Sequence, residues 1–469
     1  MRNLKRETSI LIIAIVVMMA LFAIIVLTQS TVLLLGLSVI GILIIMNIVS
    51  KSSICYVFFF ILLLTEFIYI IVFEGTAHPY HFFQLVLFLF LIKYIGRITS
   101  TKQFWCLLSF TIYFLLSSLI SLNVGDAIRS YMLLVLNVGI SVVTAMILSS
   151  KEISITSYKN TILIISLISV VWGLIQFETK AIADINLVLS ESQVKQINWN
   201  LIPSFRTEAD TFSKYLLFPM MLYMPNLLYG KSTNKWIIIF YILAVLSLFI
   251  NIVRSGIYGL MFGLFIVFIW SIRKRNIRKF LLIFCSIGVL VIIIIFLLFE
   301  GFLPIGEYAQ SKILNIFNMS YSNIVNDYSG SYRIANLSSV LKQTFSNTHN
   351  MIWGMGWGQT YYYYGGKDVH LVVGDLFSFL GYGGIIGVIL YLVLSIRTFL
   401  IFKKAASLKN HYELSLFGEG MMYAFSALFV TSLFDGYLLA PEYWMILGIG
   451  IFMEWKMNEN LKKSVQLAN

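Results

Sequence analysis

The sequence predicts an all-α polytopic membrane protein of about 14 transmembrane helices with a large, partly helical extracytoplasmic loop. Three observations lead there. Of 469 residues, 59% are hydrophobic and only 12% charged, about half the charge of a soluble domain. Mean hydropathy is +0.89, and apolar runs long enough to cross a bilayer recur from end to end. Basic residues gather in alternate connections between these runs, as the positive-inside rule requires.

The elements follow in chain order. After MRNLKRE, the run SILIIAIVVMMALFAIIVLT exceeds a signal-peptide core and precedes no small-residue cleavage site, so it is expected to stay as a first span. The predicted spans are 9–28, 31–49, 54–73, 82–96, 104–122, 131–149, 160–177, 212–229, 236–253, 255–272, 280–299, 371–396, 415–435 and 440–454. The fourth and last are short, and the gap between 236–253 and 255–272 is tight enough for one long broken helix. Together they make a single integral membrane domain, 1–469, without a repeat of fixed period. Two connections are long, 178–211 and 300–370. A loop of about 70 residues is well beyond an ordinary connection, so part of it should fold. Within it, Val340, Leu341 and Phe345 of SSVLKQTFSN have the spacing of a short interfacial helix.

With both termini cytoplasmic, roughly two thirds of the 33 basic residues fall on the inner side, including Arg273, Lys274, Arg275, Arg278 and Lys279. The two long connections then face outward from the bacterial cytoplasmic membrane. The net charge of +12 is therefore topological. RKRNIRK reads as an anchor at anionic lipid, and no nucleic-acid partner is expected. Cys55, Cys106 and Cys285 fall inside apolar runs and have neither disulfide logic nor metal-ligand spacing.

Arginines on the outer side need a reason. Arg206 lies in IPSFRTEAD, Arg254 in NIVRSG between two spans, and Arg333 in SGSYR of the large loop. A guanidinium stays charged and can fork onto two phosphate oxygens, so converging arginines suit a phosphate-bearing lipid headgroup. The plain alternative for each is snorkelling or an ion pair, with Glu208 and Asp210 within reach of Arg206. Among ionisable residues in or near spans, Glu66, Asp375 and Glu419 stand out.

His78 and His81 flank Pro79 without a third ligand nearby and read as interfacial loop residues. His411 reads as an inner surface residue and His349 as a loop residue without a role. His370 is expected to open the span from 371 at its outer end, where it can accept a proton at neutral pH. Asp375 and the packing glycines Gly381, Gly383, Gly384 and Gly387 follow on the same helix. Asp375 would face another direction from His370 there. Gly354, Gly356 and Gly358 lack the strand of a dinucleotide fingerprint; they fit a tight turn or backbone N–H groups brought close to a phosphate. The run from Tyr361 to Tyr364 suits sugar stacking or an interfacial aromatic belt about equally.

Together these features resemble the O-antigen polymerase and O-antigen ligase family. The resemblance lies in the Arg206 segment ahead of Phe212-Ser213-Lys214-Tyr215-Leu216, in Val253-Arg254-Ser255-Gly256, in Arg333 followed by Gly354-x-Gly356-x-Gly358, and in His370 followed by Gly381 and Gly384. It covers about residues 200–400. The family often has Asn where this chain has Leu371, and Gly where it has Glu208-Ala209-Asp210. The resemblance implies a type-C glycosyltransferase-like bundle and an inverting, metal-independent transfer without a cofactor. His370 would be the base; Arg206, Arg254, Arg333, Gly354, Gly356, Gly358 and Tyr361 would bind substrate, with Arg254 and Arg333 also serving the chemistry. The implied activity is polymerisation of undecaprenyl-diphosphate-linked oligosaccharide repeats for capsule, exopolysaccharide or O-antigen. A flippase and a chain-length regulator are the expected protein partners, within the lipid bilayer. Two alternatives share the substrate: a ligase that transfers finished glycan, and a lipid-linked oligosaccharide flippase. A relative of the cell-shape wall polymerases is a third, with no further residues in its favour.

Overall fold

The computed structural model describes residues 51–64, 70–72, 75–179, 204, 206, 209–230, 234–251, 253–299, 328–359, 361–364, 367–370, 374–408, 411–436 and 440–468. The spans expected at 9–28 and 31–49, together with Glu66 and Glu208, lie outside these residues. The chain runs α1 (Lys51–Leu64), β1 (Ile70–Val72), β2 (Gly75–Ala77), α2 (Pro79–Leu91), α3 (Ile95–Thr99), α4 (Lys102–Leu119), α5 (Val124–Ser150) and α6 (Ile155–Thr179). It continues with α7 (Ala209–Tyr229), α8 (Lys235–Asn251), α9 (Arg254–Arg273), α10 (Ile277–Phe299), α11 (Tyr328–Thr344) and α12 (Thr348–Trp353). The hairpin β3 (Tyr361–Tyr364) and β4 (Lys367–His370) precedes α13 (Asp375–Ala406), α14 (Tyr412–Phe434) and α15 (Pro441–Ala468).

Among the described residues, seven helices are long and apolar enough to cross a membrane: α4, α5, α6, α9, α10, α13 and α14. The predicted count of fourteen is higher for identifiable reasons. Of the run expected at 54–73, the described part is helix to Leu64 and then the strand Ile70–Val72, which pairs antiparallel with Gly75–Ala77. The run at 82–96 is a 13-residue helix broken by a 3-10 turn over Ile92–Tyr94. α7 holds Asp210, Lys214 and two internal prolines, Pro219 and Pro225, so its composition is less apolar than a lipid-facing helix needs. The tight gap before Arg254 separates two helices, α8 and α9.

α14 is the centre of the bundle, packed against α7, α9 and α13, while α15 packs along α5. Burial runs opposite to hydropathy. The α14 window has hydropathy 1.3 and is 83% buried, whereas the α10 window has 2.5 and is 11% buried. α10 presents Leu282, Ile292 and Phe296 outward. A lipid-facing helix must be greasier than one lined by other helices, so α10 reads as the wall against lipid.

α13 is not one rod. Gly384 has φ 59° and ψ −158° in mid-helix. The Phe379 and Tyr391 rings stack at 4.3 Å, although twelve residues of straight helix span about 18 Å. The segment 375–383 therefore doubles back at Gly384 on the segment 385–406. Tyr391, seven residues past this elbow, reaches Ser432 near the end of α14 at 3.2 Å. At about 1.5 Å per residue, α14 stops some 10 Å short of the elbow. The large loop is partly helical, as expected: α11 carries the SSVLKQT segment, and Asn347 caps α12 by accepting from Asn350 N–H at 2.7 Å.

Candidate functional site

At the level where α14 ends, the first turns of α7, α9 and α15 meet it, and charge collects there. The Arg206 guanidinium pairs with Glu442 at 2.8 Å, both side chains 1% exposed, and lies over the Tyr215 ring at 4.2 Å. Lys214 bridges Asp435 at 2.7 Å and Asp210 at 3.3 Å. Ser255, next to Arg254, reaches the same Asp435 carboxylate at 3.5 Å. Asn251 donates to Ser213 at 3.2 Å, and the Thr431 hydroxyl donates to the Ser255 carbonyl at 3.2 Å. One polar chain thus links Lys214 through Asp435 to the α9 terminus, with the Arg206–Glu442 pair carried by the neighbouring Tyr215 and the first turn of α15.

Electrostatics explains why it is stable. α7 and α15 each have an acid in the first turn, Asp210 and Glu442, at the positive end of the helix dipole. A buried pair repays its desolvation only with good geometry and further hydrogen bonds, and both conditions hold at Lys214. Of the two acids weighed as ion-pair partners for Arg206 in the plain alternative, Glu208 lies outside the described residues and Asp210 takes Lys214, one turn along its own helix. Arg254 is half-buried as the first residue of α9. Against Arg206, Lys214 and Arg254 stand Asp210, Asp435 and Glu442, so this corner is balanced rather than nakedly positive.

The glycine triplet has a different setting. Gly354, Gly356 and Gly358 all have positive φ, 77°, 95° and 75°. They lay the loop after α12 onto the elbow of α13. Met355 N–H donates to Gly381 O at 2.9 Å and Gly356 N–H to Tyr382 O at 3.1 Å. The Tyr113 hydroxyl of α4 donates to Gly383 O at 2.6 Å, and Ser117 Oγ bonds Tyr382 O at 2.7 Å and Trp353 O at 2.8 Å. Trp357 N–H donates to Ser118 at 3.2 Å, and Gly354 N–H to Asn350 O at 2.9 Å. The N–H groups from Gly354 to Trp357 are thus all taken, those of Met355 and Gly356 by the break in α13, so a phosphate held on them would have to displace these bonds. Gly383 and Gly387 do serve close packing: a Cβ there would lie 2.6 Å and 3.1 Å from the Phe114 ring.

His370 is not on the membrane helix. α13 begins at Asp375 with Gly374 as its N-cap, and His370 ends strand β4, in register with Tyr361. The helix-face relation between His370 and Asp375 therefore falls away. Gly365 and Gly366 link four tyrosines to Lys-Asp-Val-His, a two-residue connection that favours a hairpin. Arg333 stands on α11. The side chains of Arg333, Tyr361 and His370 lie outside the described atoms, so the convergence the structure describes is that of Arg206, Lys214 and the α9 terminus.

Compared with protein-family models and with curated proteins, the chain finds no match in either.

Three further groups depart from the sequence reading or add to it. His78 and His81 are buried, not interfacial loop residues: His81 Nδ1 accepts from His78 N–H at 3.1 Å, so Nε2 carries the proton that faces Asn137 Oδ1 at 3.3 Å. Glu419 is fully buried near the opposite end of α14 and pairs with Lys274, with Tyr423 of the next turn donating to it at 2.6 Å. Lys214, Asp435 and Glu442 went unnoticed as site residues, although a charge inside or beside an apolar run is the available signal. Among the described residues, no group of three or more His, Cys, Asp or Glu could hold a metal ion.

Proposed function

We propose that the chain is a polysaccharide polymerase that joins undecaprenyl-diphosphate-linked repeat units on the outer face of the cytoplasmic membrane. The observation that carries this reading is the meeting of the two arginine segments, Arg206 and Arg254, through Lys214, Asp435 and Ser255. They come together at helix ends in a bundle fit for a membrane, where a lipid diphosphate is within reach. An acceptor hydroxyl attacks the anomeric carbon as the bond from that carbon to the diphosphate oxygen breaks, with inversion. The leaving diphosphate gains charge, which fixed cations stabilise. Arg254, only half-buried, is the cation best placed to meet it; Arg206 follows by exchanging Glu442 for a phosphate oxygen, and Arg333 completes the set. His370 takes the acceptor's proton. No step requires a metal.

The test uses purified protein and lipid-linked repeat units. A ladder of longer glycans, lost in Arg254→Ala and His370→Ala variants that insert normally, supports the reading. Transfer of finished glycan to a lipid core instead of a ladder assigns the ligase activity. If both variants still extend glycan, the assignment fails.

A transporter is the second reading, favoured by the elbow in α13 and by ion pairs buried among helices. Broken helices and intramembrane charges are the parts from which transport sites are built. Proteoliposomes that move the lipid-linked unit across the bilayer without lengthening it would decide for transport.

A further inference from the structure

At the other end of the bundle from the charged corner, cations outnumber the carboxylates that meet them. Trp455 lies thirteen residues along α15 from Glu442, about 20 Å down the helix. Around it the acids of α15 are engaged: Glu454 pairs with Arg397, and Glu459 with Lys151 and Lys456 at 3.6 Å and 2.7 Å. Lys93, Arg97 and Lys102 stand in the connection from α2 to α4, and none of them forms an ion pair among the described residues. Arg97 is nonetheless fixed in place. Its guanidinium lies 4.8 Å from the centre of the Tyr94 ring and 5.4 Å from that of Trp455, and it donates to the Ser149 carbonyl at the end of α5. The Lys93 ammonium sits over the same Tyr94 ring at 4.9 Å. Two like charges held on one ring repel unless an anion joins them. Beside them runs an apolar track. Leu85, Leu89 and Ile92 are exposed and recur at the spacing of one helix face, along α2 into its C-cap and down to Lys93. Trp105, exposed in the first turn of α4, donates its indole N–H to Thr99 O at 2.9 Å, the placement of an aromatic anchor at a membrane surface.

We propose that Arg97 and Lys93 bind the phosphate of an anionic phospholipid in the leaflet on this side of the membrane, with an acyl chain lying along Leu85, Leu89 and Ile92. The guanidinium forks onto two phosphodiester oxygens, and its two rings and the Ser149 carbonyl hold it ready to do so. Lys93 adds a second charge from the shared ring, and Lys102 adds field at the margin. A zwitterionic headgroup brings a cation of its own, which these residues repel. A free phosphate would answer the charge but leave the apolar track uncovered. The site is separate from the run Arg273–Lys279 on α9 and α10, and it has no part in sugar transfer.

The experiment places the full chain in phosphatidylcholine nanodiscs with a rising fraction of phosphatidylglycerol that carries a photoactivatable group near the head of one acyl chain. Labelled peptides are identified by mass spectrometry. Peptides within 85–105 should label saturably, while those around Ile292 in the lipid wall gain label in proportion to the probe. Arg97→Gln should raise the half-saturating fraction about tenfold or more, and Lys93→Gln about fivefold. Arg278→Gln, in the separate basic run, should leave it unchanged. Should Arg97→Gln fail to fold, Lys93→Gln decides, because that side chain is exposed. The proposal is overturned if labelling at 85–105 is linear, if photoactivatable phosphatidylcholine gives the same saturable labelling, or if folded variants keep the wild-type half-saturation. Loss of the label on adding inorganic phosphate would also overturn it and assign the cations to a soluble anion. The readout is lipid binding, so its failure leaves the polymerase reading to its own test.

Discussion

Lys214 is the residue on which the charged corner turns. Its ammonium is buried and shared between Asp210 and Asp435, so Lys214→Met removes the cation that holds two carboxylates together. We expect a loss of about 3–5 kcal/mol, read as a lower unfolding midpoint in detergent. Arg206 and Glu442 give a companion test. Arg206→Met alone should cost a similar amount, whereas Arg206→Met with Glu442→Leu should recover much of it, because the double change buries no charge. A double variant no better than the single one would mean that the pair does not carry the cost. At this scale the sequence was half legible. Arg206 and Arg254 stand out as cations on the side expected to face outward, but Glu442 stands far along the chain from Arg206, and no spacing rule reaches that far.

The glycine loop and the α13 elbow make a single closed unit. A Cβ on Gly354 would sit 2.4 Å from Gly383 N, and one on Gly384 would sit 2.5 Å from the Ile352 carbonyl carbon; both meet backbone that cannot step aside. Gly358 has similar φ but meets only two side-chain atoms of Ser130, at 2.7 Å and 2.8 Å, and no backbone. Gly354→Ala and Gly384→Ala should therefore lower the unfolding midpoint more than Gly358→Ala does. Equal effects would mean that backbone strain, not contact, sets the cost. Ser117→Ala removes a donor to two carbonyls and should cost about 1–3 kcal/mol. Helices were legible from their apolar runs; the elbow was not, because GYGG within such a run reads equally as packing surface. The β3–β4 hairpin had a signal, a Gly-Gly link between strand-forming residues, but the surrounding hydropathy drew the span boundary too early, to 371.

For the whole molecule, membrane insertion was plain from composition, and the order of burial was not. Hydropathy ranks helices by contact with lipid, so α14, the most enclosed, has one of the weaker signals. Orientation is checked in a chain whose three cysteines are replaced. Ser346→Cys, in the exposed turn after α11, should react with a membrane-impermeant maleimide in intact cells. Arg278→Cys, exposed at the start of α10, should react only after permeabilisation. The reverse pattern would turn the protein over and remove the charged corner from the outer face.

The elbow also bears on assembly. Residues that close its open carbonyls, Tyr113, Ser117, Met355 and Gly356, all precede Asp375 in the chain. A nascent protein therefore presents the complete set of partners before the bend itself leaves the ribosome. α13 can enter the membrane already folded back, without ever exposing the bare carbonyls of Gly381, Tyr382 and Gly383 to lipid.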